Sequence, residues 1–264
     1  VDNVSNNPSA LHQLLISGCT FTSNTANDHA GAVFGYTNPA APSTSFVDRC
    51  TFASNSVSGG HGHSGAFYSE NGTLHLTNST FNGNSAASFG GGAFSSNNEA
   101  NVTNCTFHAN TCVTVGGGFY TSKGVVTLTN CTLSSNQGGQ FAGGVFSLGT
   151  SSTTINNCVF HANTGVANAA AGNHINTSFS GQGNLQSPDT AGSAGKPVTA
   201  TGTTKVADSM LGTLQNNGGP TQTRVPNLGS PAIDLGTSEL APPTDLDEKP
   251  RPVGPAWDAG AYEY

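Results

Sequence analysis

The strongest constraint on the fold of this chain is a short motif, Phe-x-x-Asn, that recurs through the first two-thirds of the sequence. The steps between successive copies are 31, 29, 26, 26 and 27 residues, and one copy has leucine, Leu133, in place of phenylalanine. Self-similarity at such a period predicts stacked coils in which like residues form ladders. The predicted ladder positions are Phe21, Phe52, Phe81, Phe107 and Phe160, and Asn24, Asn55, Asn84, Asn110, Asn136 and Asn163.

A cysteine position lies two residues before each Phe, and an aliphatic residue lies three residues before each cysteine position. Side chains alternate along a strand, so cysteine and Phe share one face while the aliphatic column has the opposite parity. The chain must therefore bend between them, at pairs such as Thr103-Asn104. A second bend is expected at the Asn of Phe-x-x-Asn, because Asn tolerates left-handed backbone. The cysteine column comprises Cys19, Cys50, Cys105, Cys131 and Cys158, with Ser79 in the remaining coil.

A glycine-rich unit follows each of the first five Phe-x-x-Asn motifs and predicts a third short strand with an inward Phe. The sixth unit is degraded, to Ala171-Gly172-Asn173-His174-Ile175. Three strands and three corners per repeat are typical of a parallel β-helix. No segment has the length and 3.6-residue period of an amphipathic helix. The predicted fold is all-β, a right-handed parallel β-helix, as a three-sided solenoid of about six or more coils with ~4.8 Å between coils. The units are Gly31-Ala32-Val33-Phe34, Gly65-Ala66-Phe67, Gly92-Ala93-Phe94, Gly117-Gly118-Phe119 and Gly144-Val145-Phe146.

The paired motifs resemble the repeats of polymorphic outer-membrane protein passengers and of secreted bacterial β-helix surface proteins. The stretch from Leu211 to Thr223, the Ser230-Pro231-Ala232-Ile233-Asp234 segment and the ending Asp258-Ala259-Gly260-Ala261-Tyr262-Glu263-Tyr264 closely resemble the C-terminal part of choice-of-anchor Q domain proteins. In that family the module follows a β-helix on bacterial cell-surface proteins. The resemblance implies an extracellular or cell-surface location.

These patterns divide the chain into three parts. Residues 1–176 are predicted to form the β-helix, 177–207 a Gly/Ser/Thr-rich connector, and 208–264 a less regular C-terminal module.

Only 8% of residues are charged and the formal net charge is −7, which argues against nucleic acid or an anionic membrane as partner. No apolar run approaches the roughly 18 residues of a membrane span, so membrane insertion is not expected.

The six cysteines are predicted to be reduced thiols that act as small apolar fillers. Stacked cysteines have parallel Cβ vectors, which leaves their Cβ atoms farther apart than the ~3.8 Å that a disulfide prefers. Ser79 occupies one rung of the ladder, so bonding is not what the ladder requires. Cys112 falls outside the ladder and aligns with small residues such as Ala26 and Ala86.

Two groups of residues are weak candidates for metal binding. His61 and His63 form a His-x-His unit, with Asp28 and His29 at nearly the same corner one coil earlier. Asp245 and Asp247 could supply oxygen ligands to Ca²⁺. The preferred interpretation is that the histidines lie in a solvated loop and that the aspartates belong to an acidic surface loop. No cofactor is therefore predicted, and Ca²⁺ binding is kept as an alternative. His108 and His161 are expected on the outer surface, two coils apart.

The favoured function is that of a non-enzymatic structural or adhesive surface protein. Its expected partners are surface glycans or further copies of itself stacked end to end into fibres, since an uncapped coil end is an open strand edge. One alternative is a polysaccharide lyase or hydrolase, with Glu70 and Glu99 one coil apart as candidate carboxylates. Another is ice binding through two threonine columns, which comprise Thr77, Thr103 and Thr129, and Thr20, Thr51, Thr80, Thr106 and Thr132.

Overall fold

The structure is a computed structural model of the whole chain. It describes residues 1–4, 13–41, 44–60, 62–148, 152–165, 174–176, 179–187 and 204–264. Every regular element in these residues is a β-strand, and the strands of the repeat region form three parallel sheets. The chain passes through sheets A, B and C in turn in each coil, which confirms the predicted three-sided parallel solenoid.

Each sheet is built from strands that follow one another at the repeat spacing. Sheet A comprises β1 (Asp2–Val4), β2 (Leu14–Ser17), β5 (Val33–Tyr36), β6 (Thr44–Asp48), β9 (Phe67–Thr77), β12 (Ala93–Thr103), β15 (Phe119–Ser122), β16 (Val125–Thr129), β19 (Val145–Leu148) and β20 (Ser152–Asn156). Sheet B comprises β3 (Thr20–Thr22), β7 (Thr51–Ala53), β10 (Thr80–Asn82), β13 (Thr106–His108), β17 (Thr132–Ser134), β21 (Val159–His161), β23 (Asn184–Gln186) and β24 (Thr204–Val206). Sheet C comprises β4 (Thr25–Ala26), β8 (Ser56–Val57), β11 (Ser85–Ala86), β14 (Thr111–Cys112), β18 (Gln137–Gly138) and β22 (Thr164–Gly165).

The bend predicted between the aliphatic and cysteine columns is a left-handed residue in each coil. The φ angles are 47° at Asn78, 52° at Asn104, 50° at Asn130 and 52° at Asn157. Asn visits this region more readily than most residues because its short side chain can hydrogen-bond locally. The bend predicted from the parity change is confirmed, and the structure shows that a left-handed residue produces it.

The second bend lies one residue earlier than predicted. The left-handed residue in Phe-x-x-Asn is the one before the Asn, with φ of 55° at Ser54, 65° at Gly83 and 52° at Ala109. The Asn side chain instead turns inward and hydrogen-bonds between coils. The Nδ2 of Asn110 donates to the Oδ1 of Asn136 at 2.9 Å, and its backbone N–H donates to the same oxygen at 3.0 Å.

The core is a set of ladders that run along the solenoid axis. The rings of Phe21, Phe52, Phe81 and Phe107 stack with centroids 4.6–4.9 Å apart. Leu133 and Phe160 continue this column, and the aliphatic ladder lines the facing sheet. Cys50, Cys105, Cys131 and Cys158 have no exposed surface. This continuous column of apolar contacts is the main stabilising feature of the solenoid.

Residues 208–264, called the tail from here on, pack against the outer side of sheet B. The tail contains one antiparallel hairpin, β25 (Leu211–Gln215) and β26 (Thr223–Pro226). It follows the Asn corners of successive coils, where the Nδ2 of Asn104 donates to the Thr244 carbonyl at 2.8 Å and the Nδ2 of Asn157 donates to the Thr237 carbonyl at 2.9 Å. An apolar cluster that includes Val159, Leu185, Ala232 and Ala259 joins the two parts.

The parallel ladder of sheet B continues beyond the range predicted for the β-helix. β23 pairs with β21, and β24 pairs with β23. Both strands lie in residues 177–207, whose Gly, Ser and Thr composition predicts an extended connector. Composition alone does not exclude strands here, because two short strands gain their stability from the existing sheet edge rather than from intrinsic propensity.

Candidate binding surfaces

The outer side of sheet A carries a cluster of aromatic rings in two columns. Phe34, Tyr68, Phe94, Tyr120 and Phe146 occupy the same register position on neighbouring strands, with ring centroids 4.5–5.5 Å apart. A second column lies beside them. Together we call the rings the outer aromatic cluster, and it comprises His29, Phe34, His63, Tyr68, Phe89, Phe94, Tyr120, Phe141 and Phe146.

The prediction that every Phe of the glycine-rich units faces inward is wrong for part of the set. Phe67 and Phe119 do face inward, and they share their column with Val33, Ala93 and Val145. Phe34, Phe94 and Phe146 lie one position later and face outward.

The sequence contains a pattern that predicts the outward aromatic column. Aligning five units on Gly31, Gly65, Gly91, Gly117 and Gly143 gives Gly-[Ala/Gly]-x-[Phe/Tyr] in each of them. That alignment separates an inward position from an aromatic outward position. Matching each unit on its Phe mixed the two columns, because two coils have aromatic residues at both positions.

Solvent reaches the outer aromatic cluster unevenly. Tyr68, Phe94 and Tyr120 are each only 5% exposed, because neighbouring rings cover them. Phe34, Phe89, Phe141 and Phe146 are partly exposed. Burial, followed by the hydrogen bond from the Tyr68 hydroxyl to the Glu70 Oε2 at 2.8 Å, raises the pKa of Tyr68. The cluster is therefore a packed apolar layer with a partly exposed rim.

The histidines considered for metal binding belong to this layer. His29 and His63 lie on adjacent rungs with ring centroids 6.0 Å apart, and His63 stacks on Phe94 at 5.4 Å. His61 lies outside the described residues. Among the described residues, no group of three or more His, Cys, Asp and Glu side chains is arranged to hold a metal ion. The two described histidines act here as planar rings in an aromatic surface.

Glu70 and Glu99 do not share a column. Glu70 pairs in register with Ser96, whereas Glu99 pairs with Thr73, three positions farther along the strand. Left-handed residues at Asn71 and Asn97 lie between the two positions. The two carboxylates therefore do not form the stacked pair that the sequence suggested.

The longer threonine column, considered for ice binding, is covered by the tail in its central coils. Thr80, Thr106 and Thr132 are at most 1% exposed. The Oγ1 of Thr80 donates to the Gln222 carbonyl at 2.5 Å, and the Oγ1 of Thr132 accepts from the Ala261 N–H at 3.1 Å. These hydroxyls bind the tail and are not available as a flat array in water.

A cleft lies between sheet B and the tail hairpin. Its volume is about 490 Å³, and its walls include Asn82 and His108 from the solenoid, and Thr213, Gln222 and Arg224 from the hairpin.

His108 and His161 face outward as expected, but the tail half-buries both. The Nδ1 of His108 lies 3.0 Å from the Ser134 Oγ, and the Nδ1 of His161 lies 2.8 Å from the Ser209 Oγ. Burial lowers the pKa of each histidine, and the positive charge of Arg224 lowers it further.

Asp245 and Asp247, the residues considered for Ca²⁺, have different surroundings. Both oxygens of buried Asp245 accept backbone N–H groups, from Lys249 at 2.8 Å and from Glu263 at 2.9 Å. Asp245 thus orders the turn and the end of the tail. Asp247 is 8% exposed, and neither carboxylate oxygen has a hydrogen-bond partner in the described part of the chain. Burial and the nearby Asp245 raise the pKa of Asp247 to about 6.

All six cysteines are free thiols in the structure, and five of them are buried. Cys19 differs from the expected pattern, since it lies in the first coil and is exposed. In the ladder the Ser79 Oγ takes the place of sulfur and accepts the Cys50 N–H at 3.0 Å. Burial raises the pKa of the Cys112 thiol to about 11, so this group is not a reactive thiolate.

Comparison with known proteins supports the architecture and leaves the activity open. The family described as right-handed beta helix region matches residues 41–204 of the chain. No curated protein and no solved structure shows significant similarity to it. The described part of the chain has no helix that is long and apolar enough to cross a membrane. On the extent of the family match, which covers more than half of the sequence, the chain belongs to the right-handed β-helix family.

Proposed function

We propose that the protein is a non-enzymatic adhesive protein of a bacterial surface that holds a glycan chain along the outer side of sheet A. The observation that carries this proposal is the difference between the two outer faces. On sheet B the central threonines are covered by the tail. On sheet A the outer aromatic cluster keeps a partly exposed rim, and the side chains of Val125 and Leu148, farther along the same sheet, are also exposed.

A repeated surface suits a repeated ligand. The outward positions of sheet A recur at each coil, roughly every 4.8 Å, so several rungs can contact one linear polymer. Apolar patches of this kind on otherwise polar surfaces mark binding sites. Rings such as Phe89 and Phe141 can contact the apolar faces of sugars. Glu70, two residues after Tyr68 on the same strand, can accept hydrogen bonds from sugar hydroxyls.

The location at a bacterial surface rests on the sequence resemblance to secreted β-helix proteins and to choice-of-anchor Q proteins. The sparse charge fits this location, because a surface of Asn, Ser and Thr hydroxyl and amide groups can interact with neutral sugars without ionic steering. The absence of a stacked carboxylate pair at Glu70 and Glu99 favours binding over glycoside hydrolysis.

The test is a screen of the protein against soluble bacterial and plant polysaccharides by affinity gel electrophoresis. We expect retardation by at least one polysaccharide and at least tenfold weaker binding by the double variant Phe89→Ala/Phe141→Ala. The matched control is Val253→Ala, which removes an apolar side chain that is 58% exposed on the tail. Circular dichroism checks that each variant is folded.

Two results would contradict the proposal. One is that no polysaccharide retards the wild-type protein, or that the double variant binds as well as the wild type. The other is release of reducing ends or of unsaturated sugars absorbing in the ultraviolet, which would show a hydrolase or a lyase instead.

End-to-end association is a second candidate, favoured by the strand edges at one end of the solenoid. In the described residues β2, β3 and β4 each pair on one side only, and the side chain of Leu15 is 71% exposed there. Such edges can pair with another chain. Electron microscopy at increasing protein concentration would show filaments if copies stack, and single particles at all concentrations would exclude this mode.

A further inference from the structure

The cleft between sheet B and the hairpin β25–β26 has a donor set that is unusual in this acidic chain. The residues that line it include Arg224, His108, Gln222, Asn82 and Thr213, and none of the described lining residues has a carboxylate. The formal net charge of the chain is −7, so a cleft with a cation and without an acid differs from the average surface.

Arg224 is the member of this set with unused binding capacity. The sequence contains three arginines, and the other two make ion pairs, Arg49 with Asp48 and Glu248, and Arg251 with Glu263. Within the described residues, the guanidinium of Arg224 donates only to backbone carbonyls, from Nε to Gly212 at 2.6 Å and from Nη2 to Leu211 at 3.3 Å. Of the five N–H groups of an arginine, about three therefore remain for another partner.

These carbonyl contacts also fix the position of the guanidinium. They hold Arg224 against β25 while its remaining N–H groups stay available at the cleft. Burial lowers the pKa of Arg224, and no acidic group of the described residues offsets that cost. A planar guanidinium held in this way is suited to a two-pronged contact with a carboxylate or a sulfate.

His108 and Gln222 complete the donor set. The Nδ1 of His108 is engaged with the Ser134 Oγ at 3.0 Å, and its Nε2 makes no hydrogen bond within the described residues. Gln222 has an exposed side chain, while its backbone carbonyl is fixed by Thr80. Both side chains can donate to an oxyanion beside Arg224.

From this arrangement we propose that the cleft binds one anionic group, a carboxylate or a sulfate, through the guanidinium of Arg224 with His108 and Gln222 as further donors. The site is separate from the outer aromatic cluster, and it does not depend on the adhesive role proposed above. Its volume of about 490 Å³ has room for one sugar ring that carries the charged group. Acidic sugar units and free inorganic anions share this chemistry.

The experiment follows the His108 resonances by NMR in low-salt buffer while sodium sulfate, methyl β-D-glucuronide or neutral methyl β-D-glucoside is added. We expect both anions to shift His108 and to raise its pKa, because a bound anion stabilises the imidazolium, and the neutral glucoside to have no effect. The signal of His75, which lies on sheet A, should not move. Tighter binding of the glucuronide than of sulfate would identify an acidic sugar as the ligand, and the reverse order would identify an inorganic anion.

Variants of the lining residues separate this site from general charge effects. Arg224→Gln should weaken anion binding at least tenfold and should raise the pKa of His108 in the absence of ligand, since Arg224 lowers that pKa. Lys123→Gln, which removes the same charge at an exposed loop position, should bind as the wild type does. Gln222→Ala, whose side chain is exposed, should fold normally and bind several-fold more weakly. The proposal is overturned if neither anion moves His108, or if Arg224→Gln binds both anions as tightly as the wild type.

Discussion

At the scale of single residues, the inner asparagine ladder does more than fill space. The Oδ1 of Asn110 accepts both the backbone N–H and the Nδ2 of Asn84, at 3.0 and 2.9 Å. The Nδ2 of Asn110 donates to the Phe81 carbonyl at 2.9 Å. The side chain therefore satisfies buried polar groups of other coils, which a hydrophobic residue of the same size could not do.

We predict that Asn110→Ala lowers the free energy of unfolding by about 2–4 kcal/mol, because it leaves buried backbone groups without partners. The control is Asn24→Ala at the exposed end of the same ladder, whose side chain hydrogen-bonds to Asn55 alone among the residues that the structure describes. That variant should lose about 1 kcal/mol or less. Urea unfolding followed by circular dichroism measures both, and equal losses would show that the ladder has no role beyond packing.

The ladder ends at a histidine that no repeat motif predicted. The Nδ2 of Asn163 lies 3.2 Å from the Nδ1 of His174, and the Nε2 of His174 lies 3.1 Å from the Ser187 carbonyl. A carbonyl requires a donor, so Nε2 carries the proton and Nδ1 accepts from Asn163. His174 thus replaces the next asparagine as the terminal acceptor. The degraded sixth glycine-rich unit, Ala171-Gly172-Asn173-His174-Ile175, contained this residue but gave no sign of its role.

Asp247 gives the protein a stability that depends on pH. Burial and the charge of Asp245 raise its pKa from 3.8 to about 6. The folded state then holds the proton more tightly than the unfolded state, so the contribution is most favourable below pH 3.8 and is lost as the pH rises through about 6.

We predict that Asp247→Asn stabilises the protein at pH 8 by about 1–2 kcal/mol, since the amide avoids burying a charge. In the wild type, Asp247 lowers the stability as the pH rises from about 4 to about 6, since its pKa in the folded state is about 6. This decline should be absent in Asp247→Asn. Glu99→Gln, at an exposed position, is the matched control. Thermal unfolding at several pH values measures both, and a destabilised Asp247→Asn at pH 8 would show that a bound cation or an unseen donor partners the carboxylate.

At the scale of elements, a buried ion pair organises the end of the tail. The Nη1 of Arg251 donates to the Oε2 of Glu263 at 2.7 Å, and both side chains are at most 1% exposed. The Glu263 carboxylate also accepts the N–H groups of Val253 and Asp258 at 3.0 and 3.1 Å. Loss of one partner would leave a buried charge without compensation.

We predict that Glu263→Gln destabilises the tail by about 3 kcal/mol. Trp257 is the only tryptophan of the chain and lies in the tail, so its fluorescence reports this region directly. The control is Glu248→Gln, which removes an exposed ion pair with Arg49 and should cost under about 1 kcal/mol. If both variants unfold at the same urea concentration as the wild type, the buried pair is not what holds the tail together.

The sequence predicted the repeat and its strands because each coil repeats the same local pattern. The Phe and Cys columns and the bend between the aliphatic and cysteine columns follow from the alternation of side chains along strands. The left-handed corner of Phe-x-x-Asn was predicted one residue too late, because the Asn side chain is used for hydrogen bonds between coils. The packing of the tail was not predictable in this way. Thr106 is an ordinary strand threonine in the sequence, and only the three-dimensional structure shows that it contacts Thr223 of the tail at 3.2 Å.

The candidate sites were predicted less well than the fold, for a related reason. His108 and Arg224 are 116 residues apart in the chain and meet only because the hairpin packs on sheet B. No local motif encodes such a meeting. The outer aromatic cluster was encoded locally, and it was missed because two coils place aromatic residues at both the inward and the outward position, as in Phe67-Tyr68 and Phe119-Tyr120.

At the scale of the whole molecule, the outer faces of sheets A and B differ in what covers them. Sheet B and the Asn corners hold the tail, and the cleft that we propose to bind an anion lies between sheet B and the tail hairpin. Sheet A leaves the outer aromatic cluster at the surface. Our central claim is that this cluster is the surface at which the protein contacts its glycan ligand.

The most direct test of that claim is hydroxyl-radical footprinting, because aromatic side chains react readily when they are exposed to solvent. The protein would be labelled with and without the polysaccharide that binds it in the affinity screen. We predict that Phe34, Phe89, Phe141 and Phe146 become protected, while Trp257 in the tail does not change. Protection confined to the tail and the cleft, with the four phenylalanines labelled equally in both samples, would contradict the account.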